Sequence, residues 1–368
     1  MQEVSAKRQT NIELLRIVSM LMIVFHHFAV HGGFEWEPSD VTLPHFYYNF
    51  IEMGGKIGVD IFVLISGYFL ISSTTKLFNV KKIMKLWGQV FFYSIGFYLA
   101  SILLGAENIS LRSLIKFSFP ITFSVWWFAS AYIVLYIIHP YLNLLLKGLN
   151  RQTYRLLIVV LVFIWSIIPS VTPSKMEGNT LTWFITLYAI SGYVKLYGFN
   201  KKLTSRHYFV LWFVFSILTY LSSIIFTILG RSSNFFFTHI NFFMGMEKIS
   251  TLLISVTLFM AFAKLKLTYN KWIQLIASAT FGVYLIHDNK ILRSYFWFKN
   301  VEYQHTMLII PYSIMIVLTV YILCTTVDLC RKYTFERLWM SLVNKYADMF
   351  IKLIKNIVIC FENLVFGI

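Results

Sequence analysis

Long apolar runs, each about the length needed to cross a bilayer, alternate with short polar segments along the whole chain. Ten runs stand out, near 11–31, 55–74, 83–104, 124–146, 154–171, 180–198, 207–229, 249–265, 272–289 and 306–327. None shows the period-two alternation of a membrane barrel strand, so the pattern predicts helices. The expected fold class is all-α: a polytopic membrane helical bundle of about ten transmembrane helices. Past residue 330 the pattern changes. The stretch "RKYTFERLWMSLVNKYADMFIKLIKN" sets basic residues against Leu, Ile, Phe and Trp at helical spacing. It predicts an amphipathic C-terminal helix over 331–368, lying on the inner membrane face behind a transmembrane domain over 1–330. The segments between runs are too short to fold as soluble cores, so any chemistry belongs inside the bundle or at its faces.

Composition agrees. Hydrophobic residues make up 58% of the 368 and charged residues only 13%, where a soluble domain carries about a quarter charged. The net charge of +16 would point to nucleic acid in a soluble protein. Here the Lys and Arg cluster between apolar runs, so the positive-inside rule accounts for them and no nucleic-acid partner is expected. With the N-terminus inside, basic residues such as Lys7, Arg8, Lys76, Lys147, Lys201 and Lys271 fall on the inner side. Fewer, among them Lys175 and Lys299, fall outside. Both termini are expected to be cytoplasmic. The first run lacks a small-residue cleavage site and contains Arg and His, which predicts a retained span. Cys324, Cys330 and Cys360 have no paired spacing, so neither a disulfide framework nor a metal site is expected.

The ionisable residues inside the runs narrow the chemistry. A charged side chain at a helix centre costs about 2.5–3.5 kcal/mol on insertion scales, so such residues are usually paired or functional. In "NIELLRIVSMLMIVFHHFAVH", Arg16 and His27 lie on one helix face, offset by about 20° and separated by about 16 Å along the axis. His26 is turned about 80° away from Arg16. The bland alternative is that Arg16 snorkels to the inner headgroups and pairs with Glu13. Asp60, in "GGKIGVDIFVLISGYFLISS", is expected at a depth close to that of His27, where a carboxylate orients an imidazole for general-base work. His287 and Asp288 end the run "WIQLIASATFGVYLIHDN" at a similar depth, as functional groups or as interfacial ones. Lys82 and Lys85, three residues apart, share a helix face on the inner side and with Arg16 form either an anion site or ordinary inside charge. Trp126 and Trp127 fit an interfacial belt or a sugar-stacking surface. His139 precedes the kinking residue Pro140 and is assigned no role. The layout, cationic groups inside and His and Asp outside, suits a cytoplasmic anionic donor and an outer acceptor.

These segments together resemble the membrane acyltransferase-3 family. "NIELLRIVSMLMIVFHHF" carries an Arg, ten residues and a His, here Arg16 and His27. "GGKIGVDIFVLISGYFLI", "WWFASAYIVLYIIHPYLN" and "TFGVYLIH" resemble its later landmarks in the same order, over essentially the whole chain. The family often has an Arg pair after the second helix, whereas Lys82 and Lys85 stand there in this chain, keeping charge but weakening bidentate phosphate recognition. The resemblance implies transfer of an acyl group, commonly acetyl, from acyl-CoA to a hydroxyl of a polysaccharide or lipid-linked glycan. It places Arg16, Lys82 and Lys85 on the donor, and His27, Asp60 and His287 in the chemistry. His27 is then a base or an acyl carrier, and the sequence leaves both open. Some relatives carry a fused extracytoplasmic domain that completes transfer. Here either the bundle acylates the acceptor itself or a separate extracytoplasmic transferase does so. The runner-up is a multi-span transporter or flippase of lipid-linked glycans, which would be expected to show inverted repeats. The abundance of Lys, Ile, Phe and Asn points to an AT-rich bacterial genome, and the expected location is the cell membrane.

Overall fold

The structure is a computed structural model that describes residues 9–73, 79–174, 176, 178–297 and 300–367. Lys7, Arg8, Lys76, Lys175 and Lys299, used above for orientation, lie outside them. No strand occurs among the described residues. The helices, in chain order, are α1 (Thr10–His31), α2 (Leu43–Leu70), α3 (Val80–Leu103), α4 (Leu111–Ser118), α5 (Trp127–Gly148), α6 (Arg151–Val162), α7 (Ile168–Val171) and α8 (Thr180–Tyr197). They continue with α9 (Ser205–Gly230), α10 (Asn234–Thr238), α11 (Ile249–Lys264), α12 (Lys271–Ala277), α13 (Thr280–His287), α14 (Lys290–Phe296), α15 (Ile309–Tyr333) and α16 (Phe335–Phe366). Eight stretches, counted among the described residues, are long and apolar enough to cross a membrane. The other two expected spans correspond to α8 and to the pair α12–α13. The protein is an all-α, multi-pass membrane bundle.

Two local departures from the hydropathy pattern matter. First, α2 begins at Leu43, well before residue 55, because Thr42 caps it and Pro44 fits its first turn. The expected outer loop is thus half helix. Second, the run 272–289 is broken at Ser278–Ala279. There the Ser278 and Thr280 hydroxyls bond the carbonyls of Leu275 and Ala277, at 2.6 and 2.9 Å, and draw the backbone out of a continuous helix.

The chain forms two compact units, one within Met1–Ser73 and Tyr141–Thr326, the other within Thr74–Pro140 and Val327–Ile368. In the first, α1 packs antiparallel on α2 through small residues. A Cβ at Gly58 would lie 2.6 Å from the Ser19 carbonyl oxygen, and one at Gly55 would lie 2.1 Å from the His26 ring. The opposite face of α2 meets α8, which runs parallel to it. Trp183 bonds Asp60, and Gly67 leaves room for Tyr188 and Ser191. Helix α11 also runs parallel to α2, with Ser255 against Ile57 and Phe259 against Tyr68. The end of α1 that holds His27 is therefore the end where α8 and α11 begin. At the other end, Asn11 bonds the Phe262 carbonyl (2.8 Å).

In the second unit a buried network ties α3 to the turn between α15 and α16. Asp328 accepts hydrogen bonds from Gln89 (3.0 Å), Tyr93 (2.8 Å) and Arg331 (2.8 Å). Arg331 also reaches Glu336 (2.9 Å), and Lys85 pairs with the same carboxylate (2.7 Å). Trp339 lies over Gly88 and donates to the Met84 carbonyl. In α5, Pro140 has no N–H for the Tyr136 carbonyl, and the His139 Nδ1–H satisfies that oxygen instead (2.5 Å). His139 thus has a structural task that the sequence did not reveal.

The contact at Gly58 is against backbone, which cannot move aside. Gly58→Ala is expected to cost about 1–3 kcal/mol and to lower the thermal midpoint of the detergent-solubilised protein. Gly96→Ala, where a Cβ meets nothing within 4 Å, is the matched control and is expected to leave it unchanged.

Candidate active site

The last two turns of α1 present His26, His27 and His31, and the break in the ninth run lets α13 end against them. His27 Nδ1 lies 2.8 Å from His287 Nε2. His287 Nδ1 lies 2.6 Å from the Val283 carbonyl, which only accepts, so Nδ1 carries the His287 proton. In the neutral pair, His287 Nε2 is then the acceptor and His27 Nδ1–H the donor. This leaves His27 Nε2 unprotonated. Among the described residues no hydrogen bond engages that nitrogen, and the His27 side chain remains 13% exposed. A fixed tautomer with a bare Nε2 is what a general base requires.

Asp288, at the end of α13 and 3% exposed, backs the pair. Its Oδ1 is 3.7 Å from His27 Nδ1 and 3.7 Å from His31 Nε2. Arg293, held by the short helix α14 that Asn289 caps, binds the same oxygen through Nη2 (2.5 Å) and Nε (3.1 Å). The ion pair keeps a negative charge beside the imidazoles without leaving a bare carboxylate in the interior. His27, His31 and Asp288 place their donor atoms within 4.8 Å of one another, a set able to take a divalent cation. Because Arg293 already matches the Asp288 charge, a cation there would face the guanidinium.

The structure brings His27 and His287 together and keeps Asp60 apart from them. Asp60, fully buried, takes a hydrogen bond from Trp183 Nε1 (2.9 Å) on the α8 side of α2. The expected Asp60–His27 contact is absent, because the α2 face toward α1 is given to glycines and Asp60 points the other way. The carboxylate next to His27 is Asp288. His26 is turned from the pair and bonds the Glu52 carbonyl (2.7 Å). At the opposite end of α1, Arg16 makes no ion pair among the described residues, and its buried Nε has no hydrogen-bond partner. Glu13 is buried, and the Glu13–Arg16 pairing of the bland alternative does not form among the described residues, where one Glu13 carboxylate oxygen likewise has no hydrogen-bond partner. Lys82 and Lys85 belong to the other unit, where Lys85 is paired with Glu336 and Lys82 is exposed.

Sequence reasoning passed over His31 and Arg293 and gave Asp288 no partner. The signal was present in spacing: His31 is one turn beyond His27, and Arg293 follows Asp288 by five residues. What the spacing lacked was the fold that joins the two segments.

A family model described as an acyltransferase domain, of the acyltransferase-3 type, matches residues 9–327. No curated protein and no solved structure matches the chain.

The hydrogen-bond chain predicts that nitrogen-15 NMR of labelled protein at neutral pH finds His27 and His287 both protonated at Nδ1. A bare Nδ1 on His27 is the contrary result. Asp60→Asn is expected to leave both resonances in place, since Asp60 does not touch the pair.

Proposed function

The chain belongs to the acyltransferase-3 family, and on that premise we propose that it transfers an acyl group, in the first instance acetyl, from cytoplasmic acyl-CoA to a hydroxyl of a cell-surface or lipid-linked glycan. The observation that carries this reading is the His27–His287 pair, with its bare His27 Nε2, on the same helix as Arg16, whose buried Nε has no hydrogen-bond partner among the described residues. The cell membrane of a bacterium, with the Arg16 end inward, is the setting that the charge pattern favours.

In the proposed reaction the phosphates of coenzyme A meet Arg16 by charge-assisted hydrogen bonds. Lys82 and Lys85 lie in the other unit, where Lys85 is paired with Glu336, and are given no part in this step. The pantetheine arm carries the thioester toward the His27 end. His27 Nε2 takes the proton of the acceptor hydroxyl as its oxygen attacks the thioester carbonyl. The tetrahedral intermediate then collapses with cleavage of the C–S bond. The thiolate leaves and recovers the proton from His27, so the products are the ester and the free thiol. During the step His27 is an imidazolium. Its Nδ1–H points at His287 Nε2, and the Asp288 carboxylate 3.7 Å away stabilises the charge. In this reading His287 orients the His27 ring through the direct hydrogen bond and Asp288 supplies the nearby charge, in place of the role expected of Asp60.

The test is acyl transfer by purified protein in liposomes, from labelled acetyl-CoA to added bacterial surface glycan. His27→Ala is expected to lower turnover at least about 100-fold while the protein still inserts and folds. Arg16→Ala is expected to raise the KM for acetyl-CoA about tenfold or more, as loss of a charged hydrogen bond implies, with a smaller effect on kcat. Folded wild-type protein that neither binds nor hydrolyses acyl-CoA would favour the flippase reading.

A further inference from the structure

A second polar feature lies at the His27 end of the first unit, on the other face of α2. A cavity of about 230 Å³ is lined by Trp165, Asn179, Thr180, Thr182, Trp183 and Glu247, among others. Its volume falls below the roughly 300 Å³ at which sites for drug-sized ligands begin, so it suits one ring rather than a nucleotide or an acyl chain. Nothing in the proposed acyl transfer uses it.

Two features show that the cavity is built and not a packing gap. Its Trp165 wall is a π-helical turn, Phe163–Ile167, between α6 and α7. Pro169 has no N–H to give the Trp165 carbonyl, so the turn widens, and the Ile168 N–H reaches back to Phe163. Across the cavity, the indole of Trp183 is locked by its bond to Asp60 Oδ1 (2.9 Å). The second Asp60 oxygen is buried and unpartnered. Glu247 lines the same cavity. Lys248, beside it in sequence, bonds the Pro169 carbonyl and lies over the Phe242 ring.

We propose that this cavity is a carbohydrate subsite that holds one pyranose ring of the acceptor glycan. A pyranose offers an apolar C–H face to an indole and a rim of hydroxyls to planar or hydroxylic partners. Trp165 and Trp183 supply the first, and Glu247, Thr180 and the Asn179 amide N–H groups the second, the Thr182 hydroxyl and the Asn179 oxygen being taken up by the cap of α8. The α2 helix separates the cavity from His27, so the ring held here is not the one acylated. It anchors the glycan remotely, and its binding energy positions a more distant sugar at the histidine pair. The assignment of the ring to the acceptor rests on the acyltransferase reading above, but sugar binding in the cavity does not.

The experiment is calorimetric titration of nanodisc-embedded protein with tetrasaccharides built from glucose, galactose, rhamnose or N-acetylglucosamine. Wild type is compared with Trp165→Ala and Glu247→Gln. Neither change disturbs the Trp183–Asp60 bond, so both variants are expected to fold. At least one tetrasaccharide is expected to bind wild type, and each variant to weaken it about tenfold or more. Hydrolysis of acetyl-CoA without acceptor is expected to stay at the wild-type rate in both. Binding of none of the sugars, or equal binding by all three proteins, overturns the subsite. Sugar binding lost in the variants of a protein that never consumes acetyl-CoA would leave the subsite standing and remove the transferase.

Discussion

The close approach of α1 to α2 is the constraint on which the first unit depends. Gly55 and Gly58 leave no room for a Cβ, because the Ser19 backbone and the His26 ring already fill that space. In a bilayer, lipid tails are as apolar as the side chains, so tight packing and hydrogen bonds must hold helices together. The glycines fix α1 in depth and in rotation. That rotation turns His26 onto the α2 backbone at Glu52 and leaves His27 facing the end of α13. The same glycine face obliges Asp60 to point away, toward Trp183.

The break between α12 and α13 supplies the other half of the site. An unbroken helix would carry His287 along one straight axis. The interruption at Ser278–Ala279 lets α13 act as a separate short segment whose last residues, His287 and Asp288, meet α1. Irregular backbone is tolerated at membrane depth where protein surrounds it, and the Thr280 hydroxyl bonds the Ala277 carbonyl at the break. A polar cluster of imidazoles around one carboxylate paired with Arg293 is then tolerated in an apolar bundle.

The second unit follows a different logic. Its buried Asp328–Arg331–Glu336 network sits at the turn between α15 and α16 and holds the start of the amphipathic tail to α3. Breaking one member would strand a buried charge, so the network sets the geometry of that turn more than it adds stability. Lys85, which looks from sequence like a free inner cation, is part of this fastening.

The sequence alone determined that the chain is an all-helical membrane protein. It also located nearly every span and the Arg16–His27 face of α1. All of these are local, because hydropathy over twenty residues and a 3.6-residue period need no partner to be legible. The family motif was local for the same reason. Only the tertiary structure decided which carboxylate lies beside His27. Asp60 and Asp288 both lie at plausible depth, and the choice between them turns on which face of α2 the glycines occupy and on where α13 ends. The cavity between Trp165 and Trp183 was equally out of reach, since its two walls are brought together by the packing of α8 on α2 and by a π-turn that one proline imposes. Depth along a helix follows from position in the chain, but facing across a bundle is set by how closely two backbones are able to approach.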